Sequence, residues 1–268
     1  SATLHGEFVL RNDREYLDRN HEDIIAHEVF HHWFGNMVTC ESWANLPLNE
    51  SFATYGEYLW EEYKYGSDAA DHHIQQDLRK YLHSRKQVDV IRFDYDNKED
   101  MFDSHSYAKG GRILHMLRKH VGDEAFFESL KYYLLANKFA AVEIHDVRLA
   151  FEKITGEDLN WFFNQWFLSS GHPQLIINYN FNDSLKQQMV SVWQVQQLDN
   201  TPLYRLPVAI DIYVNGEKER HEVVVDSVAQ TFIFDVDSKP DLVNFDAEKM
   251  LLCIKRDEKT KDEWIFQY

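Results

Sequence analysis

The stretch Asn20-His21-Glu22-Asp23-Ile24-Ile25-Ala26-His27-Glu28-Val29-Phe30-His31-His32-Trp33-Phe34-Gly35-Asn36 decides how the first half of the chain is read. Asn20 is suited to cap a helix, Glu22 and Asp23 suit its positive N-terminal turn, and Gly35-Asn36 stops it, so the pattern predicts a helix over residues 21–35. Residues four apart on a helix lie one turn above each other, so His27 and His31 aim their imidazoles at one point. Glu28 sits about 100° round the helix from His27, badly placed to bind with the histidines but able to reach a water beside them. This arrangement predicts two metal ligands and a general base. A catalytic zinc takes three protein ligands at about 2.0–2.2 Å and keeps a fourth position for water. A third ligand is therefore required. Glu50, within Leu48-Asn49-Glu50-Ser51-Phe52-Ala53, opens the next predicted helix, where the dipole and free N–H groups hold a carboxylate ionised.

Working outward, helical periodicity continues to about Ser170. Helices are predicted from near Asn49 to before Gly66, from Ala69 to Ser84, from near Tyr107 to Gly122, from Asp123 to Lys138, from Ile144 to Thr155 and from Asp158 to Ser169. The aromatic stripe Trp161, Phe162, Phe163, Trp166 and Phe167 reads as core. After Gly171-His172-Pro173 the pattern changes to short Val-, Ile-, Tyr- and Phe-rich runs. Strands are predicted at 174–181, 188–196, 205–214, 219–225, 231–236, 241–245 and 251–255, with Asn215-Gly216 as a hairpin turn. Seven short strands in about a hundred residues suggest a β-sandwich. The expected organisation is a mainly helical zinc-binding catalytic domain over 1–171 and a β-sandwich domain over 172–268. The charged run from Lys255 to Glu263 is expected to be surface or a junction.

With 45 acidic against 28 basic residues and a formal charge of −17, the chain would repel a nucleic acid. No run is long and apolar enough for a membrane span, and the N-terminus lacks a signal-peptide pattern, so a soluble domain of undetermined compartment is expected. Cys40 and Cys253 give neither a disulfide framework nor a thiolate zinc site. Hydrophobic content of 44% suffices for a large core or two smaller ones.

H-E-x-x-H followed after eighteen residues by Glu50, within Asn49-Glu50-Ser51-Phe52-Ala53, resembles the gluzincin aminopeptidases, the aminopeptidase N family. His32-Trp33-Phe34-Gly35-Asn36, Trp43, Ser106-Tyr107-Ala108-Lys109-Gly110 and the run from Asp158-Leu159 through Trp166 to Gly171-His172-Pro173 agree with it, so the resemblance covers nearly the whole chain. Ser51 departs from it, standing where that family usually has glycine, and little consequence is expected. The resemblance implies the helical lobe of a thermolysin-like catalytic domain followed by an immunoglobulin-like sandwich. It further implies one zinc per chain on His27, His31 and Glu50, peptide substrates, and a catalytic Tyr107 whose hydroxyl binds the developing oxyanion. Glu28 would take a proton from water and deliver it to the leaving amine.

Asp103 and His105 are expected to cap the helix after them, His32 to face away from the metal, and His72 and His73 to lie at the surface. The helix from Ala69 to Ser84 is expected to carry no chemistry. Family members hold the substrate amine with a Gly-x-Met-Glu-Asn motif, which this sequence does not contain. The chain is accordingly expected to be an internal fragment, without the N-terminal and C-terminal domains of its parent and with little or no activity alone. A thermolysin-like endopeptidase and a noncatalytic binding module remain as alternatives.

Overall fold

The computed structural model describes residues 2–267, which divide into two compact units at the boundary between residues 169 and 170.

The first unit is helical. It contains α1 (Asp13–Asp18), α2 (Glu22–Phe30), α3 (Pro47–Tyr65), α4 (Ser67–Ser84), a π-helical turn (His105–Lys109), α5 (Gly110–Val121), α6 (Asp123–Ala136), α7 (Ile144–Thr155) and α8 (Asn160–Trp166). Two short strands, β1 (Thr39–Cys40) and β2 (Ala141–Val142), pair in parallel. The core is aromatic: Phe34, Phe52 and Tyr133 stack, with Phe34 and Phe52 centroids 4.4 Å apart. Phe162, Phe163, Trp166 and Phe167 are buried, as the aromatic stripe predicts, whereas Trp161 is only half-buried.

Helix α2 is shorter than the sequence suggests. It ends at Phe30, yet His31 keeps a right-handed helical backbone and its N–H still bonds to the His27 carbonyl, so the one-turn relation between the two histidines survives. His21 takes the cap position with φ +55°, while Asn20 Oδ1 still accepts from the Glu22 N–H at 3.1 Å. Two devices press α2 against α3. Glu22 accepts from Trp60 Nε1 at 3.1 Å, Tyr65 Oη at 3.0 Å and Lys64 Nζ at 2.6 Å. Gly56 faces the Phe30 ring so closely that any added Cβ would fall inside it, which is why glycine is needed mid-helix despite its entropic cost.

The second unit holds a four-stranded sheet and a three-stranded sheet. Strands β3 (Gln174–Asn182), β4 (Gln187–Gln194), β7 (Ala229–Asp235) and β9 (Ile254–Asp257) form the first, in the order β7-β4-β3-β9. Strands β5 (Leu206–Val214), β6 (Glu217–Val225) and β8 (Leu242–Phe245) form the second, in the order β6-β5-β8. Alternate residues Leu175 and Ile177, Val190 and Val192, and Leu206 through Ile212 are buried, the period-2 pattern of a half-buried strand. Asn215 (φ +51°) and Gly216 (φ +80°) make the β5–β6 turn with both central residues left-handed, as the Asn-Gly signal requires.

The predicted strand 251–255 is displaced. Leu251, Leu252 and Cys253 are buried outside any strand, and β9 begins at Ile254, parallel to β3. The charged run is likewise structured: it contributes β9 and leads into α9 (Lys261–Gln267), which opens with Thr260 and Glu263 capping each other.

Candidate metal centre

Helices α2 and α3 bring His27, His31 and Glu50 together, with one ligand atom of each within 4.8 Å of the others. Glu50 Oε2 lies 3.3 Å from His27 Nε2 and 3.4 Å from His31 Nε2. The edge of a tetrahedron around zinc with bonds of about 2.0–2.1 Å is about 3.3 Å. Those separations therefore fit a shared metal ion. The outer ring nitrogens agree with this. His27 Nδ1 faces Glu57 Oε1 at 2.7 Å and His31 Nδ1 faces the Phe34 carbonyl at 3.0 Å, so each Nδ1–H can donate outward and each Nε2 is the atom left to face a metal ion.

The electrostatics are strongly coupled. Burial works against a charged His27, but hydrogen bonds to Glu50 and Glu57 outweigh it and lift the imidazole to about 9. His31 is raised by Glu50 and the Phe34 carbonyl, again against burial. Glu50, although mostly buried, is held down to about 2 by the two histidines. The donor set thus keeps a carboxylate ionised out of water and supplies the nitrogen and oxygen ligands that zinc prefers.

Glu28 is half-buried on α2, and its charge, after burial and Glu50, helps raise the Tyr107 phenol above its ordinary value. The Tyr107 ring stacks on His27, with centroids 6.0 Å apart and planes 11° from parallel. Tyr107 lies not at the start of an α-helix but inside the π-helical turn, where the Lys109 N–H reaches back to the Ser104 carbonyl at 2.8 Å. Such widened turns recur at functional sites.

Several expectations need correction. Ser51 is buried, and its Oγ donates to the Ser106 carbonyl at 2.7 Å, linking the residue after Glu50 to the residue before Tyr107. Asp103 does cap, accepting from the His105 N–H at 2.9 Å, and it also binds Arg92. The His105 side chain does not cap. Its ring is buried edge-on to Tyr81, and burial lowers its pKa to about 4. His72 is exposed as expected, and His32 stands outside the metal cluster. His73 is no surface residue: its side chain is only 12% exposed and lies 3.2 Å from Glu57. Helix α4 therefore does reach the site. Glu57 was legible in principle, because it lies seven residues after Glu50, two turns along the same face of α3. His73 had no local signal, since only the packing of α4 on α3 brings it there.

Residues 4–166 match the family described as the peptidase family M1 domain. The chain belongs to peptidase family M1. Among its relatives, the leucyl aminopeptidase of Saccharolobus solfataricus is 28% identical over 229 residues, covering 83% of this chain and 28% of that protein. A probable aminopeptidase 1 of Sulfurisphaera tokodaii is 30% identical over 219 residues, 78% of this chain and 27% of that protein. The crystal structure of Legionella pneumophila aminopeptidase A in complex with aspartic acid shares the fold, with a TM-score of 0.76 and 23% identity, covering 95% of this chain and 29% of that one. The chain thus spans under a third of the length of these M1 relatives. M1 peptidases are generally zinc-dependent, and His27, His31 and Glu50 can hold a metal ion. Among the described residues, no helix is long and apolar enough to cross a membrane.

Proposed function

We propose that this M1 chain carries the catalytic centre of a zinc aminopeptidase, with one zinc held by His27, His31 and Glu50. The observation that carries this is the convergence of His27 Nε2 and His31 Nε2 on Glu50 Oε2 at tetrahedral spacing. When bound there, zinc would lower the pKa of a coordinated water towards about 7 and polarise the scissile carbonyl. Glu28, one residue beyond the first ligand, would serve as the general base, holding a proton at its carboxylate and passing it to the leaving amine. Tyr107, kept neutral by burial and by the Glu50 and Glu28 carboxylates, would donate a hydrogen bond from its hydroxyl to the developing oxyanion. Glu57 holds the His27 ring in the required orientation.

Residues 1–171 form the catalytic domain in this account, and residues 172–268 an immunoglobulin-like sandwich. The two sheets of the second unit, with their buried alternate residues, support the sandwich assignment. Removal of N-terminal residues from peptides is favoured over internal cleavage because the relatives named above are aminopeptidases.

The test is hydrolysis of an amino-acid amide against an N-blocked internal peptide by a polypeptide containing this chain, with Glu28→Gln as control. Turnover of the amide alone, abolished by Glu28→Gln, is expected. Cleavage of the blocked peptide would make it an endopeptidase, and no turnover of either would favour a binding module.

A further inference from the structure

The side chains behind His27 continue beyond Glu57. Glu57 Oε1 takes the His27 Nδ1–H, and its other oxygen, Oε2, lies 3.2 Å from His73 Nε2. The same His73 nitrogen lies 3.8 Å from Asp77 Oδ2, one turn further along α4. Asp77 is buried, and its Oδ1 accepts from Lys80 Nζ at 2.9 Å. Four groups of alternating charge capacity thus run inward from the metal centre: His27, Glu57, His73 and Asp77. A carboxylate turned away from water is costly without a polar partner. His73 stands between Glu57 and Asp77. Removing it would leave Glu57 Oε2 without that neighbour and the side chain free to rotate, which loosens the acceptor that holds His27.

We infer that His73 is a positioning residue of the metal centre, fixing Glu57 on His27 and thereby setting zinc affinity from helix α4. This rests on the zinc assignment proposed above. Among the described residues His73 pairs with Glu57 and Asp77 and with none of the three proposed ligands, so its effect must pass through Glu57.

The experiment measures zinc dissociation constants by chelator competition on the full chain, with His73→Ala, His73→Gln, Glu57→Gln and the double variant His73→Ala/Glu57→Gln. Folding of each is checked by circular dichroism and thermal unfolding. His73→Ala should weaken zinc binding about tenfold, the lower end of the range for groups supporting metal ligands. His73→Gln has similar bulk and keeps a donor near the Nε2 position. It should fold and bind zinc with intermediate affinity. In the Glu57→Gln background the alanine change should have almost no further effect, because the route to His27 is already cut. Parent-like affinity in both His73 variants would overturn the inference. So would an undiminished His73→Ala effect in the Glu57→Gln background, which would mark a general packing role. His31→Ala separates the two levels: if it abolishes zinc binding while the His73 variants do not alter it, the positioning role alone fails. If His31→Ala binds zinc normally, the zinc assignment fails and the inference with it.

Discussion

Glu57 Oε1 stands 2.7 Å from His27 Nδ1, two helical turns beyond Glu50 on the same face of α3. One helix therefore presents both a carboxylate to the proposed metal position and a carboxylate to the far side of the His27 imidazole. A ring held this way has its tautomer and orientation fixed before metal arrives. Glu57→Gln keeps the size of the side chain but removes the charge that makes it a strong acceptor, and it should weaken zinc binding by about 10- to 100-fold. Chelator competition checks this, and an unchanged dissociation constant would remove Glu57 from the site.

Glu28 and Tyr107 are assigned to chemistry and not to coordination, so their loss should separate metal content from turnover. Glu28→Gln and Tyr107→Phe should each retain zinc at the parent level. In a polypeptide that contains this chain and hydrolyses an amino-acid amide, Tyr107→Phe should lower kcat by about 10²–10³, the loss typical of one oxyanion donor. A kcat unchanged by that substitution would return Tyr107 to the role of a packing residue on His27.

Much of this was legible in the sequence because it depends on local periodicity. His27, Glu28, His31 and Glu50 are separated by helical spacings or set at helix starts, and the helix over Ile144–Thr155 is found at its predicted bounds. Contacts that depend on helix packing were not legible. The Ser51 hydroxyl meets the Ser106 carbonyl, and His73 meets Glu57, only because α3 packs against the π-helical turn and against α4. Helices α1 and α9 carried a readable signal that length obscured. Asn12 with Glu15 and Thr260 with Glu263 are reciprocal caps, but the helices they open have six and seven residues and bury none. Without an apolar stripe, periodicity does not reveal them.

The close approach of Ser51 to Gly110 makes a prediction whose sign depends on context. Gly110 has a helical backbone, where alanine is ordinarily better than glycine by about 1 kcal/mol. Here an added Cβ would overlap the Ser51 side chain, and overpacking costs about 1–3 kcal/mol. Gly110→Ala should therefore destabilise the chain, while the same change in a Ser51→Gly background should be neutral or stabilising. Urea unfolding of the four proteins decides it, and the same loss in both backgrounds would contradict the steric explanation.

Lys109 offers a pH test independent of the metal. It is fully buried, its ammonium has no hydrogen-bond acceptor among the described residues, and burial pushes its pKa down to about 7. In the unfolded chain it would titrate near the ordinary lysine value of about 10.4. Between these values the unfolded state holds the extra proton, so this group makes stability rise with pH from about 7 to about 10, with its full penalty below that window. Lys109→Met removes the titration. Its stability advantage over the parent should be a few kcal/mol at pH 7 and shrink steadily towards pH 10. A difference independent of pH would show that Lys109 stays charged in the fold.

The most direct test of the zinc centre is metal content after exhaustive dialysis, measured on the chain and on His27→Ala, His31→Ala and Glu50→Ala. One zinc per parent chain is predicted, with each alanine variant losing it and Glu28→Gln keeping it. Zinc retained at the parent level by His31→Ala would contradict the coordination on which the proposed chemistry depends.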